Sequence, residues 1–421
     1  MFLPEQRIDR ILHELEKYIY CNKIELSGCR FKETRSNDRE AVIRDESGWR
    51  DFGRYDRWGG VDKLAWFSFY ITIPDSYAGQ TVEVHFTTGR EGEWYPGGPQ
   101  YLVFVDGEPR HHMDLWHEKF ILTENAEPGR SYRIDIQAFS GVKEKLTGFE
   151  INLYTVDKRV EAAYFDIKAA YDSALVLKDD DKNRLDAINE IINAVNLLDM
   201  RKPLSDEFYA SLDLAREHLA RTLYSENNAV RNITAYCVGH SHFDVAWLWT
   251  VEDSKKKAVR TFVHNLELME LYPEYVFMCS QPQIYKYVKE SYPEVYEKVR
   301  QRIKEGRWQP EGAMWVEPDC NIPSGESFVR QLLLGKRFFK EEFGVDSRIL
   351  WLPDVFGFSG ALPQILKKSG VDFFMTTKLS WNEYNVFPYS LFSWQGIDGT
   401  EILSYFTCHH AAYLGSKSIN E

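Results

Sequence analysis

From Ile233 onward, short apolar runs alternate with helical stretches, and this alternation constrains the fold more than any other feature. Strand candidates are 233–239, 275–280, 308–315, 348–353, 371–377 and 401–407. Helical stretches lie between them, at 258–271, 284–303, 325–343 and 361–369. Near-continuous apolar strands joined by helical crossovers predict a parallel sheet buried on both faces. An open sheet and a (β/α) barrel both satisfy that pattern. The chemistry below favours the barrel, with functional residues at the carboxyl ends of its strands. The chain stops at Glu421, soon after the sixth strand candidate. A closed barrel needs at least one further strand, so the chain is expected to be a fragment.

The preceding half reads differently. Ile8, Ile11, Leu12, Leu15 and Tyr18 recur at helical spacing behind Pro4. Runs at 64–73, 81–86, 101–105, 131–139 and 149–154 read as strands, with Asp106-Gly107 and Pro128-Gly129 as turns. Short strands without intervening helices predict an all-β sandwich, jelly-roll-like and of the carbohydrate-binding type, or else a purely structural cap. Two apolar stripes then predict helices: Leu185, Ile188, Ile191, Ile192, Val195 and Leu198, followed by Phe208, Leu212, Ala215, Leu219 and Leu223 behind Ser205. The resulting division is 1–24 helix, 25–157 β-sandwich, 158–230 helical linker and 231–421 α/β barrel, N-terminal part.

Composition narrows the function classes. A net charge of −13 disfavours nucleic acid, whose phosphates need a cationic footprint, and disfavours anionic membrane surfaces. No run is apolar enough to span a bilayer, and Glu14, Glu16 and Lys17 interrupt any leader-like character at the N-terminus. Cys21, Cys29, Cys237, Cys279, Cys320 and Cys408 are scattered, which fits reduced, buried thiols in a cytoplasmic protein; a Cys21–Cys29 bridge is the alternative. Aromatic residues reach 15%, suited to stacking on sugar faces and equally to large buried sheets.

Chemistry concentrates at the predicted strand ends. In HSHFDVAW, His240, His242 and Asp244 alternate, so an extended backbone would project all three from one face. Imidazole with carboxylate suits Zn²⁺ or a similar first-row metal; a hydrogen-bonded His/Asp cluster is the alternative. In WLPDVFGFS, Asp354 stands where a buried strand turns into a Gly/Ser loop, able to complete a metal site or attack an electrophile. Glu317 and Asp319, in GAMWVEPDC, are read as a solvated loop pair or as substrate contacts. The stretch TTKLSWN offers a cation, Lys378, and a ring, Trp381.

Together, HSHFDVAWLW, GAMWVEPDCNIPSGES, WLPDVFGFSGALPQIL and TTKLSWNEYN resemble the class II α-mannosidases of glycoside hydrolase family 38, most closely the cytosolic-type branch with an N-terminal β domain. The resemblance is strong from about Ile233 and only one of layout before it. It implies a seven-stranded (β/α) barrel and a retaining mechanism with one divalent metal, usually zinc and sometimes cobalt. Carried over, the metal ligands fall on His242, Asp244 and Asp354, and Asp354 is also the nucleophile. Trp247 and Phe356 fall at sugar-stacking positions, Lys378 at a weaker substrate-binding match, and His240 behind the ligands. The implied substrate is an α-mannoside oligosaccharide, and a homo-oligomer is compatible. The family's fourth ligand, a histidine, and its acid/base carboxylate fall beyond residue 421, so the chain is expected to be inactive alone.

Two rival readings remain at this point: a polysaccharide deacetylase-like enzyme, with a metal-activated water on the same residue types, and a non-catalytic sugar-binding module.

Overall fold

The computed structural model describes residues 4–91, 93, 98–225 and 236–407. Helix α1 (Pro4–Glu16) leads into β1 (Tyr20–Glu25), β2 (Cys29–Glu33), α2 (Arg39–Arg44), β3 (Arg50–Phe52), β4 (Trp58–Gly59), β5 (Leu64–Thr72) and β6 (Thr81–Thr87). The β-rich region continues through β7 (Gln100–Val105), β8 (Glu108–Met113), β9 (Lys119–Thr123), β10 (Ser131–Phe139), β11 (Leu146–Thr147) and β12 (Glu150–Val156). These strands form a four-stranded sheet, β1-β12-β6-β9, and a six-stranded sheet, β3-β2-β5-β10-β7-β8; β4 and β11 pair separately. The ladders are antiparallel, and β5 and β10 run in register from Leu64↔Phe139 to Thr72↔Ser131.

One apolar cluster joins the two sheets, with Phe31, Phe67, Val103 and Ile134 from one and Val84, Phe120 and Leu153 from the other. Period-two alternation then gives the six-stranded sheet a second buried face. Trp66, next to Phe67, joins Leu102 and Phe104 in a different cluster, built with Phe262 and Val263 of the following α/β region. The high aromatic content is thus largely structural in this half of the chain.

Helices α3 (Lys158–Leu175), α4 (Lys182–Asn196) and α5 (Asp206–Thr222) follow. Ser205 caps α5 by accepting from Phe208 N at 3.3 Å. Both predicted stripes lead to one core, containing Ile188, Ile191, Val195, Phe208, Leu212 and Leu219, whereas Leu185 is exposed. Ile8, Leu12 and Leu15 of α1 enter that same core, so the first helix packs with the later three.

The α/β region comprises β13 (Gly239–His240), α6 (Val251–Leu271), β14 (Phe277–Cys279), α7 (Pro282–Ser291), α8 (Pro293–Lys304), β15 (Trp308–Pro310) and α9 (Gly325–Phe343). It continues with β16 (Ile349–Trp351), α10 (Leu362–Lys368), β17 (Phe373–Thr376), β18 (Leu391–Gln395) and β19 (Glu401–Phe406). Strands β13-β14-β15 pair in parallel, as do β16-β17-β19. Four details differ from the sequence reading. The single helix expected over 284–303 is two, because Pro293 lacks the N–H needed to continue α7. The strand expected to Trp315 ends at Pro310, where Gly312 (φ 153°) and Ala313 (φ 64°) turn the backbone. The antiparallel edge strand β18 was not anticipated. Of the first strand candidate, residues 233–235 lie outside the described residues, and the ladder begins at Gly239.

Among the described residues no helix is long and apolar enough to cross a membrane. Cys21, Cys29, Cys237, Cys279 and Cys320 are free thiols, so no Cys21–Cys29 bridge forms. Cys29, Cys279 and Cys320 are buried as expected, but Cys237 is exposed. Cys408 lies outside the described residues.

Candidate active site

The parallel strands bring their carboxyl ends to one place. His242 and Asp244 follow β13, Ser280 and Gln281 follow β14, Glu317 lies in the loop after β15, Asp354 follows β16 and Lys378 follows β17. Nε2 of His242 is 3.3 Å from Asp244 Oδ1 and 3.3 Å from Asp354 Oδ2. One potential ligand atom from each of the three residues lies within 4.8 Å of the others.

On its other side, His242 Nδ1 donates to Glu317 Oε2 at 2.8 Å. Glu317 is buried and held from three directions. Ser280 Oγ donates to its Oε1 at 2.6 Å, its own backbone N donates to Gln281 Oε1 at 3.1 Å, and Gln281 Nε2 in turn donates to Phe243 O at 2.7 Å. One ring nitrogen is therefore committed to a carboxylate, and the other faces two aspartates. That is the orientation in which an outer carboxylate fixes the tautomer of a metal-ligating histidine. Burial disfavours a charged His242, but hydrogen bonds to Asp244 and Glu317 outweigh it and push the group up to about 10.

The donor set fits a divalent metal. Ligands at about 2.0–2.2 Å in tetrahedral array lie roughly 3.3 Å apart, which is the spacing found here. Charge agrees as well: the carboxylates of Asp244, Glu317 and Asp354 outnumber the cations beside them, Lys378 and a protonated His242.

Lys378 contacts Asp354 Oδ1 and is itself buried. Its Nζ lies 4.1 Å from the Trp381 ring centroid and 4.9 Å from that of Phe356. These three residues help line a cavity of about 560 Å³ with Phe358, Phe387 and Trp394. Flat rings beside a carboxylate and a cation suit a ligand with apolar faces and polar edges.

The sequence singled out more residues than the structure gathers. His240 ends β13, and its ring packs at 5.1 Å on Trp351. The extended geometry expected to carry it alongside His242 and Asp244 stops at His240 itself, where the ladder ends. The residue behind His242 is Glu317, left undecided by the sequence because its loop has no periodicity. Asp319, its companion, accepts from the backbone N of Asn321 and Ile322 at 2.9 and 2.8 Å, a turn role. Trp247 is 55% exposed and packs edge-on against Trp249 at 5.5 Å, while Trp249 Nε1 donates to Asp244 O at 3.2 Å. Ser280 and Gln281 were not anticipated; their position directly after an apolar strand was the only available signal.

Parallel α/β structure thus carries a His–Asp–Asp donor set and a nearby aromatic cavity at its strand ends. Residues 232–419 match the N-terminal domain of glycosyl hydrolases family 38. Alpha-mannosidase G of Dictyostelium discoideum is 34% identical over 359 residues, covering 81% of this chain and 32% of that protein. Alpha-mannosidase 2C1 of Homo sapiens is 34% identical over 387 residues, covering 87% and 35% respectively. The alpha-mannosidase of Saccharomyces cerevisiae is 40% identical over 401 residues, covering 88% and 36%. The chain thus spans about a third of the length of these relatives, and the matches extend well beyond the family domain into the β-rich half.

Proposed function

We propose that this chain supplies the nucleophile and metal-binding half of a retaining α-mannosidase acting on terminal α-mannosides. The observation that carries the reading is the meeting of His242, Asp244 and Asp354 across two separate strand ends. In this reading the two antiparallel sheets form a jelly-roll-like sandwich at 25–157, and residues 231–421 form the front of a (β/α)7-type barrel. The free thiols of Cys21, Cys29, Cys237, Cys279 and Cys320 support a reducing, cytoplasmic setting.

His242, Asp244 and Asp354 would hold one divalent metal, zinc by its donor preferences, with cobalt as the substitute. Bound there, the metal would engage neighbouring sugar hydroxyls, orient the ring and favour the cis 2,3-diol of mannose. Asp354 attacks the anomeric carbon through an oxocarbenium-like transition state, forming a glycosyl–aspartate as the aglycone leaves. Lys378 positions the Asp354 carboxylate by direct contact with Oδ1. Phe356 and Trp381 orient the sugar or its aglycone, while Glu317 fixes the His242 ring. Retaining hydrolysis also needs an acid/base carboxyl about 5–5.5 Å from the nucleophile, a role we assign to no residue of this chain.

The test is hydrolysis of an aryl α-mannoside by the complete protein, with metal content measured in parallel. Asp354→Asn should abolish turnover and retain part of the metal; unchanged turnover would overturn the assignment. Release of acetate from acetylated glycans, without mannose, would favour the deacetylase-like alternative.

A further inference from the structure

A second group of metal-ligating side chains lies where the β-rich half meets α6. His112 is near the end of β8, Asp114 and His117 lie in the turn that follows, and His264 projects from α6. Asp114 Oδ2 is 3.1 Å from His112 Nε2, and Asp114 Oδ1 is 2.9 Å from His117 Nδ1. One ligand atom from each of these three lies within 4.8 Å of the others. The ring centroid of His264 is 4.9 Å from that of His117 and 6.1 Å from that of His112, and His112 and His117 are 5.6 Å apart. Imidazoles sharing one tetrahedral zinc have centroids roughly 5 Å apart, given nitrogen–metal bonds of about 2.0–2.1 Å.

Two features exceed what a hydrogen-bonded His–Asp–His group would need. The turn is already held by Asp114, whose Oδ1 accepts from the backbone N of Trp116 and His117 at 2.8 and 2.9 Å. Yet Nδ1 of His112 and Nδ1 of His264 are both buried without a hydrogen-bond partner. An unmatched buried polar atom costs about 1–3 kcal/mol, so the hydrogen bonding of these two rings within the protein is incomplete.

We propose that His112, Asp114, His117 and His264 form a second divalent-metal site, zinc by its donor set, which pins the β8–β9 turn to α6. Nothing in this site depends on the mannosidase reading. A metal there would be structural: it joins the six-stranded sheet to the helix that begins seven residues after Asp244, so it steadies the approach to the active site.

The test is zinc stoichiometry of the full chain after chelator stripping and reloading with zinc alone, read by elemental analysis. His117→Ala removes a ring from a side chain that is 44% exposed, so the fold should survive, as circular dichroism would verify. The expected result is loss of one zinc equivalent per chain in His117→Ala and again in His264→Gln, whatever the His242 site holds. In a His242→Ala background one equivalent should remain, raising the melting temperature on zinc addition, and His117→Ala should abolish that rise. Cobalt loaded into His242→Ala should give the visible bands of tetrahedral coordination. Unchanged stoichiometry in both folded variants, or no zinc retained by His242→Ala, would overturn the proposal.

Discussion

Glu317 and His242 form a 2.8 Å hydrogen bond that turns the opposite face of the imidazole toward Asp244 and Asp354. The bond links the loop after β15 to the end of β13, so the ligand's orientation depends on a residue two strands away. Glu317→Gln keeps the shape and removes the charge. It should lower metal affinity about 10- to 100-fold with little loss of stability, as measured by competition with a chelator of known affinity. Equal affinity in variant and parent would mean that Glu317 serves packing alone.

Gly312 permits the close approach that brings Glu317 to Ser280. Its φ is 153°, and a Cβ there would meet Ser280 O at 2.3 Å. Gly312→Ala should destabilise the chain by about 2–4 kcal/mol in urea unfolding. Metal affinity should fall with it, because moving Ser280 releases one of the bonds that hold Glu317.

Lys257, on α6, gives a pH signature. Burial, with Arg260 adding repulsion, lowers its group to about 7, against roughly 10.4 in an unfolded chain. Between those values the unfolded state binds more protons, so this residue makes stability rise with pH; below about 7 its full cost is present. Lys257→Met should therefore stabilise the protein by on the order of 1–2 kcal/mol at pH 6, a gain that shrinks toward pH 10. Melting temperatures across that range would check it, and a gain independent of pH would point to packing instead.

Phe356 and Trp381 lie 5.0 Å apart at the mouth of the cavity beside Asp354. Replacing either with Ala should raise KM for an aryl α-mannoside about 10-fold in the complete enzyme while leaving kcat within a few-fold. A fall in kcat at constant KM would instead assign the rings to transition-state orientation.

Much of this arrangement was legible in the sequence because two physical signals are strong. Apolar alternation and runs located β5 and β10, and capping chemistry located α5, whose Ser205 does accept from Phe208 N. Strand-end placement likewise singled out His242, Asp244 and Asp354, which the fold brings together. Shorter strands escaped: β8 (EPRHHM) carries a proline and two histidines in place of apolar alternation, and is a strand because it pairs with β7. His240 was expected to share a face with His242, but alternation holds only while the backbone stays extended, and β13 ends at His240. Glu317 was undecided because its meaning lies in a partner 75 residues away. The cluster around Asp114 escaped for the same reason, since His264 comes from a distant helix.

The most direct measurement is anomalous diffraction at the zinc edge from crystals of the zinc-loaded protein. The expected map has a peak about 2.0–2.2 Å from His242 Nε2 and from one oxygen each of Asp244 and Asp354, with Glu317 still on Nδ1. A map with no peak among those three side chains, or with the Lys378 ammonium seated between them, would contradict it.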